Sequence, residues 1–250
     1  MVKRAVIVAG IVDPITMISA DAAYRVAEIY RKHGFEVDVI SGVMATRLPL
    51  FIALLKPASI ICYFGHAWDD MWMGDEVLWG LVERDNVDWL SDTVSVAVPA
   101  CRSLRKLGLW AVQHGAVSYI GFDEDAYGGF PETDHNYAED FIDCWVQLYR
   151  SLAIGETVSD AVNDFKDRCE YYAERYKELR LPNSDFYSMA MMWNARHIDV
   201  RGDPSARIRD VPSAFKFRFS GLPKTFCPVL MVAGVAAPIV YDYAKRRGWI

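Results

Sequence analysis

The sequence predicts an α/β fold, a mostly parallel sheet with helices on both faces, and three observations predict it. Short runs of β-branched and apolar residues recur in the first half of the chain without polar alternation, the pattern of strands buried on both faces. Segments of helical apolar spacing separate them, giving a β-α-β-α-β rhythm with short turns. With 52% apolar and 24% charged residues over 250 positions, the composition is that of a globular chain, long enough for one large domain and a small appendage.

Val6, Ile7 and Val8 centre the first strand. The opening residues imitate a signal peptide, but Asp13 and Pro14 cut the apolar run 5–12 and no small-residue cleavage site follows closely. Residues 19–33 put Ala23, Val26, Ala27 and Tyr30 on one helical face, with Ser19 as N-cap and Gly34 just past the end. Residues 35–40 read as a second strand and 47–55 as a short helix stopped at Lys56-Pro57. Strong strands follow at 59–64 and 94–98, then a helix at 104–114 ending at Gly115 and a strand at 116–120. Beyond Pro131 come two long helices, 137–154 and 157–179, the second carrying a solvated charged face with Asp167, Glu170, Glu174 and Lys177. The expected organisation is one α/β domain, 1–220, followed by an apolar segment, 221–250.

Composition excludes several function classes. With 27 basic against 33 acidic residues the net charge is −6, which lacks the basic face nucleic acid requires. The 5 cysteines are an odd number without a CxxC pair, which argues against a disulfide scaffold or a zinc ribbon and for reducing conditions. Neither GxGxxG nor GxxxxGK(S/T) occurs, so a flavodoxin-like nucleotide binder is the weakest reading. No metal and no cofactor are expected. The uncharged run 225–241, followed by Lys245, Arg246 and Arg247, is at the lower length limit of a membrane span. Pro228, Gly234 and Pro238 argue instead for a segment packed on a soluble core, which is the preferred expectation, with membrane anchoring as its rival. The location expected is the cytoplasm.

In an open parallel sheet, ligands bind beyond the carboxyl ends of the strands. The strand 59–64 runs directly into Gly65-His66-Ala67, and the strand 94–98 into Pro99-Ala100-Cys101-Arg102-Ser103. If those strands are neighbours, an imidazole and a thiol share one crevice. A thiol needs such a partner to become a nucleophile at neutral pH, and turn amides can receive the developing negative charge. The N–H groups of Ala67 and Cys101 are the candidates. Free Cys or His at a strand end is more often structural when it stands alone. The pair at two expected strand ends shifts the balance towards function. Cys62, Cys144, Cys169 and Cys227 read as core.

The segments Ile60-Ile-Cys-Tyr-Phe-Gly-His66 and Val96-Ala-Val-Pro-Ala-Cys101-Arg-Ser103 resemble the caspase-like cysteine peptidases of clan CD, most closely the gingipain-type (C25) and CHAT branches. Gly115-Ala-Val-Ser-Tyr-Ile-Gly121 resembles the strand after the nucleophile's helix, and Gly202-Asp203-Pro204 their late signature. The resemblance implies a caspase-like three-layer sandwich, Cys101 as nucleophile, His66 as its proton-transfer partner, and the amides of Ala67 and Cys101 as oxyanion hole. Two departures stand out: Ala67 replaces the family's usual Gly, and Pro99 stands where Arg-specific relatives place an Asp. Asp123 and Asp125, after the next strand, and Trp68 and Asp69, after the His, are candidates for lining a substrate pocket. Trp68, Trp72, Trp79 and Trp89 crowd the connection between the two strands, as a lid, a groove or simple packing.

Two functions follow: a cysteine endopeptidase acting on protein or peptide substrates through a His/Cys dyad and an acyl-enzyme, or a catalytically inert caspase-like scaffold for protein interaction or signalling. Oligomeric state and cleavage specificity are not written in the sequence.

Overall fold

A computed structural model describes residues 3–74 and 80–211. In chain order its elements are β1 (Lys3–Ala9), α1 (Pro14–Lys32), β2 (Phe35–Ser41), α2 (Arg47–Leu54), β3 (Ile60–Phe64), β4 (Ala67–Trp68), β5 (Met71–Met73), β6 (Gly80–Val82), β7 (Val94–Ala97), α3 (Leu107–Gln113), β8 (Ser118–Phe122), α4 (Tyr137–Ile154), α5 (Val158–Leu179), α6 (Ser184–His197) and β9 (Ile198–Gly202). The main sheet has the order β2-β1-β3-β7-β8-β9, parallel except for β9, which pairs antiparallel with β8. β4, β5 and β6 form a separate antiparallel sheet within the connection from β3 to β7.

Strands β1, β3, β7 and β8 are buried almost throughout, as continuous apolar runs require. Alternate residues face opposite layers. Ile7, Cys62, Phe64, Val96 and Phe122 join one core with α1, α4, α5 and α6, where the Phe64 and Tyr149 rings lie 4.9 Å apart. On the other face Tyr63 stacks on Trp72 at 4.8 Å, and Trp72 Nε1 donates to the Tyr119 hydroxyl at 2.7 Å. Helices α2 and α3 complete that layer, against β1 and β8 respectively. Burying one such ring contributes about 1.5–3 kcal/mol, whereas an exposed ion pair such as Arg25–Glu139 is worth roughly 0–1 kcal/mol. Apolar faces therefore decide how the helices dock.

The observed elements depart from the sequence reading in places. The first helix begins at Pro14, not at 19, because Asp13 rather than Ser19 is the N-cap. The helix expected at 104–114 is confined to Leu107–Gln113, and the strand expected at 116–120 lies at Ser118–Phe122. Helix α6, strand β9 and the small sheet were not anticipated. Gly202 has φ 89°, and a Cβ there would meet Val117 O at 2.5 Å, so only glycine lets β9 end against β8. Asp203 N then donates to Val117 O, and Pro204 and Ala206 carbonyls accept from Ser159 and Val158, which seats the start of α5. Among the described residues no helix is long and apolar enough to cross a membrane. The segment 221–250, with the run 225–241 and Cys227, lies outside the described residues.

Candidate active site

Strand order reverses at β1, which has β2 on one side and β3 on the other. Such a switch point opens a crevice beyond the strand ends. Three chain segments enter it. After β1, Gly10 N donates to Phe64 O at 2.9 Å, and the chain turns into α1 at Asp13. After β3, Gly65 adopts φ 152°, where a Cβ would meet the Tyr63 hydroxyl at 2.8 Å. After β7, Pro99, Ala100 and Cys101 follow, with Pro99 O accepting from Gly65 N.

Asp13 occupies the N-cap through ordinary capping chemistry. Its carboxylate accepts from Thr16 N at 2.9 Å, the Thr16 hydroxyl accepts from Asp13 N at 2.9 Å, and Pro14 fills the first helical turn. The second carboxylate oxygen, Oδ2, lies 2.6 Å from His66 Nε2. Burial on its own would raise the Asp13 pKa, but the bonds from His66 and Thr16 outweigh it and hold the carboxyl below its ordinary value. Sequence reasoning missed this residue as part of the site. Tyr63 supports His66 from below, its hydroxyl within hydrogen-bond reach of the His66 and Met73 carbonyls.

His66 and Cys101 line one pocket of about 130 Å³, together with Ile15, Thr16, Ala126, Tyr127, Gly128 and Trp145 among others. The two residues expected to meet at adjacent strand ends are thus brought to one crevice. The Cys101 thiol is partly buried and donates to Ala126 O at 3.9 Å. Burial is the chief cause that pushes its pKa up, and the Asp125 carboxylate adds to this while the Arg102 guanidinium opposes it. The sulfur is therefore a protonated thiol in this arrangement. Arg102, the next residue, has φ 51°, an uncommon conformation for a non-glycine residue. The turn is held by Arg102 N on Glu124 O and Leu104 N on Phe122 O.

The Ala67 N–H faces away from β5. Met73 N bonds to His66 O, so Ala67 and Trp72 form a non-hydrogen-bonded pair and the Ala67 amide lies on the open edge of β4. Among the described residues Cys101 N bonds to no other backbone group, and its amide interacts with its own sulfur. The other candidates sit elsewhere. Trp68 and Asp69 border a separate shallow pocket with Asp70, Met71, Arg102 and Lys106, and the Asp69 carbonyl accepts from Lys106 and Leu107 at the start of α3. Asp123 pairs with His197 at 2.8 Å and Asp125 with Arg102 at 2.8 Å, and neither lines the pocket at Cys101.

The loop that carries Asp123 and Asp125 does wall that pocket, but through Ala126, Tyr127 and Gly128. Asn194 of α6 grips it, accepting from Tyr127 N at 2.9 Å and donating to Tyr127 O at 2.8 Å. Trp193 Nε1 adds a bond to Asp125 O at 2.9 Å.

Among solved structures, gingipain R, an Arg-specific cysteine proteinase, superposes with a TM-score of 0.54 at 16% identity, over 81% of this chain and 46% of that one. The fold is gingipain-like. The complex of RgpB pro- and mature domains from Porphyromonas gingivalis gives 0.52 at 15% identity over 81% and 47%, and a structure described only as a protease gives 0.55 at 13% over 82% and 48%. The chain thus spans less than half the length of each of these three neighbours. No family model and no curated protein matches the sequence.

Proposed function

We propose that this chain is a cysteine endopeptidase of the clan CD type, with Cys101 as nucleophile, His66 as acid and base, and Asp13 as the group that orients His66. The observation that carries the reading is the pocket shared by Cys101 and His66, with the far side of the imidazole held by Asp13 at 2.6 Å. With Nε2 engaged by the carboxylate, Nδ1 is the ring nitrogen left for the thiol. Because the resting sulfur is protonated, base assistance is needed before attack.

In the first half-reaction the Sγ proton passes to His66 as the S–C bond to the peptide carbonyl forms. The carbonyl oxygen takes up the negative charge, facing the amides of Ala67 and Cys101. The C–N bond then breaks, and the leaving nitrogen receives the proton from His66. In the second half-reaction water adds to the acyl thioester and gives a proton to His66. The C–S bond breaks, the acid departs and the thiol is restored. Asp13 holds the ring and balances the imidazolium that forms in each half, the role of the carboxylate in a Ser-His-Asp triad.

The second reading is an inert scaffold of the same fold. One observation favours it: the Cys101 thiol is bonded to the Ala126 carbonyl and raised in pKa, a resting state without a thiolate. Mapping the residue modified by a peptidyl electrophile separates the two. Modification at Cys101 that collapses in His66→Ala supports the peptidase. Slow modification indifferent to His66→Ala supports the scaffold.

A further inference from the structure

We infer that the pocket beside Cys101 receives an uncharged aliphatic side chain, that of the residue whose carbonyl is attacked; this rests on the peptidase reading above. In an acyl-enzyme the acyl carbon is bonded to Sγ and its α-carbon is the next atom. That residue's side chain must therefore occupy space that opens at the sulfur. The pocket of about 130 Å³ is such a space, walled by Ile15, Pro99, Ala126, Tyr127, Gly128 and Trp145.

Its hydroxyls are already engaged, and the buried donor left over, Trp145 Nε1, carries no charge. The Thr16 hydroxyl is bonded to Asp13, the Ser19 hydroxyl donates to Thr16 O at 2.9 Å, and the imidazole is held by Asp13. The nearby carboxylates are committed as well: Asp13 to Thr16 and His66, Asp125 to Arg102, Glu124 to Arg105, and Asp123 to His197. No lysine or arginine borders the pocket either. A basic side chain entering it would lose water and find no uncommitted carboxylate, and an acidic one no lysine or arginine, which is costly, whereas an aliphatic one loses nothing. Packing is close on the far wall: a Cβ on Gly128 would meet Ile15 Cδ1 at 2.7 Å and Trp145 Cη2 at 3.5 Å. Gly128 and Ile15 therefore set the depth.

A series of tripeptidyl acyloxymethyl ketones, identical except for Leu, Arg or Asp next to the ketone, tests this on the full chain. Sγ attacks the methylene carbon, the C–S bond forms, and the C–O bond breaks with its electron pair leaving on the carboxylate. The thiol proton leaves through His66 to buffer. Modification at Cys101, mapped by mass spectrometry, should be on the order of 100-fold faster for Leu than for Arg or Asp. Equal or faster reaction with Arg or Asp overturns the specificity while leaving the peptidase intact. Failure of all three to modify Cys101 faster in the native chain than in His66→Ala removes the peptidase reading, and this inference with it. Ile15→Asp provides the converse arm, because Ile15 lies in the first turn of α1, where a carboxylate is tolerated. It should raise the Arg rate at least tenfold and depress the Leu rate. An unchanged preference, with Cys101 still modified, means that this side chain does not enter the pocket.

Discussion

Asp13 Oδ2 and His66 Nε2 are 2.6 Å apart although the residues follow different strands. Parallel pairing of β1 with β3, which sets Ala9 opposite Phe64, is what brings them together. Asp13→Asn keeps a competent N-cap but loses the charge and the tautomer control. Turnover should fall on the order of 10²–10⁴-fold, as for the orienting carboxylate of a triad, far more than the modest loss of stability accounts for. Asp13→Ala loses the cap too and should cost about 1 kcal/mol more in stability. Steady-state kinetics beside thermal denaturation of both variants separate orientation from folding.

The Asp13 carboxyl also sets a pH dependence of stability. Its pKa is lowered in the folded state, so the unfolded chain binds the proton more readily. The stabilisation is fully present above the ordinary carboxylate value of about 4 and is lost as pH falls through the lowered folded value. Urea unfolding of the native chain and Asp13→Asn should show a gap at neutral pH that closes in acid. A gap that widens on acidification contradicts the assignment.

Among the described thiols Cys101 should alkylate fastest, since Cys62, Cys144 and Cys169 are fully buried. Its rate should still be climbing above pH ~8.5, the usual thiol value, because burial raises this one. Asp125→Asn removes a neighbouring negative charge and should speed labelling. Arg102→Ala removes the compensating positive charge and should slow it. Iodoacetamide rates against pH for the three proteins check the order. Cys101→Ala should end proteolysis and leave the fold intact.

Gly65→Ala should damage the site more than the fold. The φ of 152° and the 2.8 Å approach to the Tyr63 hydroxyl predict a cost of about 1–3 kcal/mol. His66 is the next residue, so turnover should drop further than the stability loss accounts for. Parallel activity and denaturation curves at a temperature where the variant is folded provide the measurement.

Asn194 is fully buried and spends both ends of its amide on Tyr127. Asn194→Ala leaves the partly buried N–H and C=O of Tyr127 without their side-chain partner, at up to about 1–3 kcal/mol each. It should raise KM more than it lowers kcat, because the loop it holds forms a wall of the pocket and not the sulfur–imidazole pair.

What the sequence discloses follows from how local each signal is. Strands β3 and β7 are unbroken apolar runs, so their ends are readable, and with them His66 and Cys101. Helix α4 is amphipathic and its bounds match the expected 137–154. Helix α6 hides because its inward residues include Ser184, Ser188 and Asn194 while Phe186 and Met189 face solvent. The strands of the small sheet, of two or three residues, are too short for any period to register. Asp13 reads in sequence as the interruption of an apolar run. Its meaning depends on a strand partner about fifty positions away, which no local pattern can state.

Because one carboxylate both starts helix α1 and grips the imidazole, the first turn of that helix and the poise of His66 form one thermodynamic unit. A fraying event that swings the Asp13 carboxylate away breaks its bonds to Thr16 N and to His66 Nε2 together. Hydrogen exchange at the Thr16 amide thus reports, from a backbone position, on openings that also release the histidine. A ligand that settles against α1 and slows this exchange should steady the imidazole without touching it.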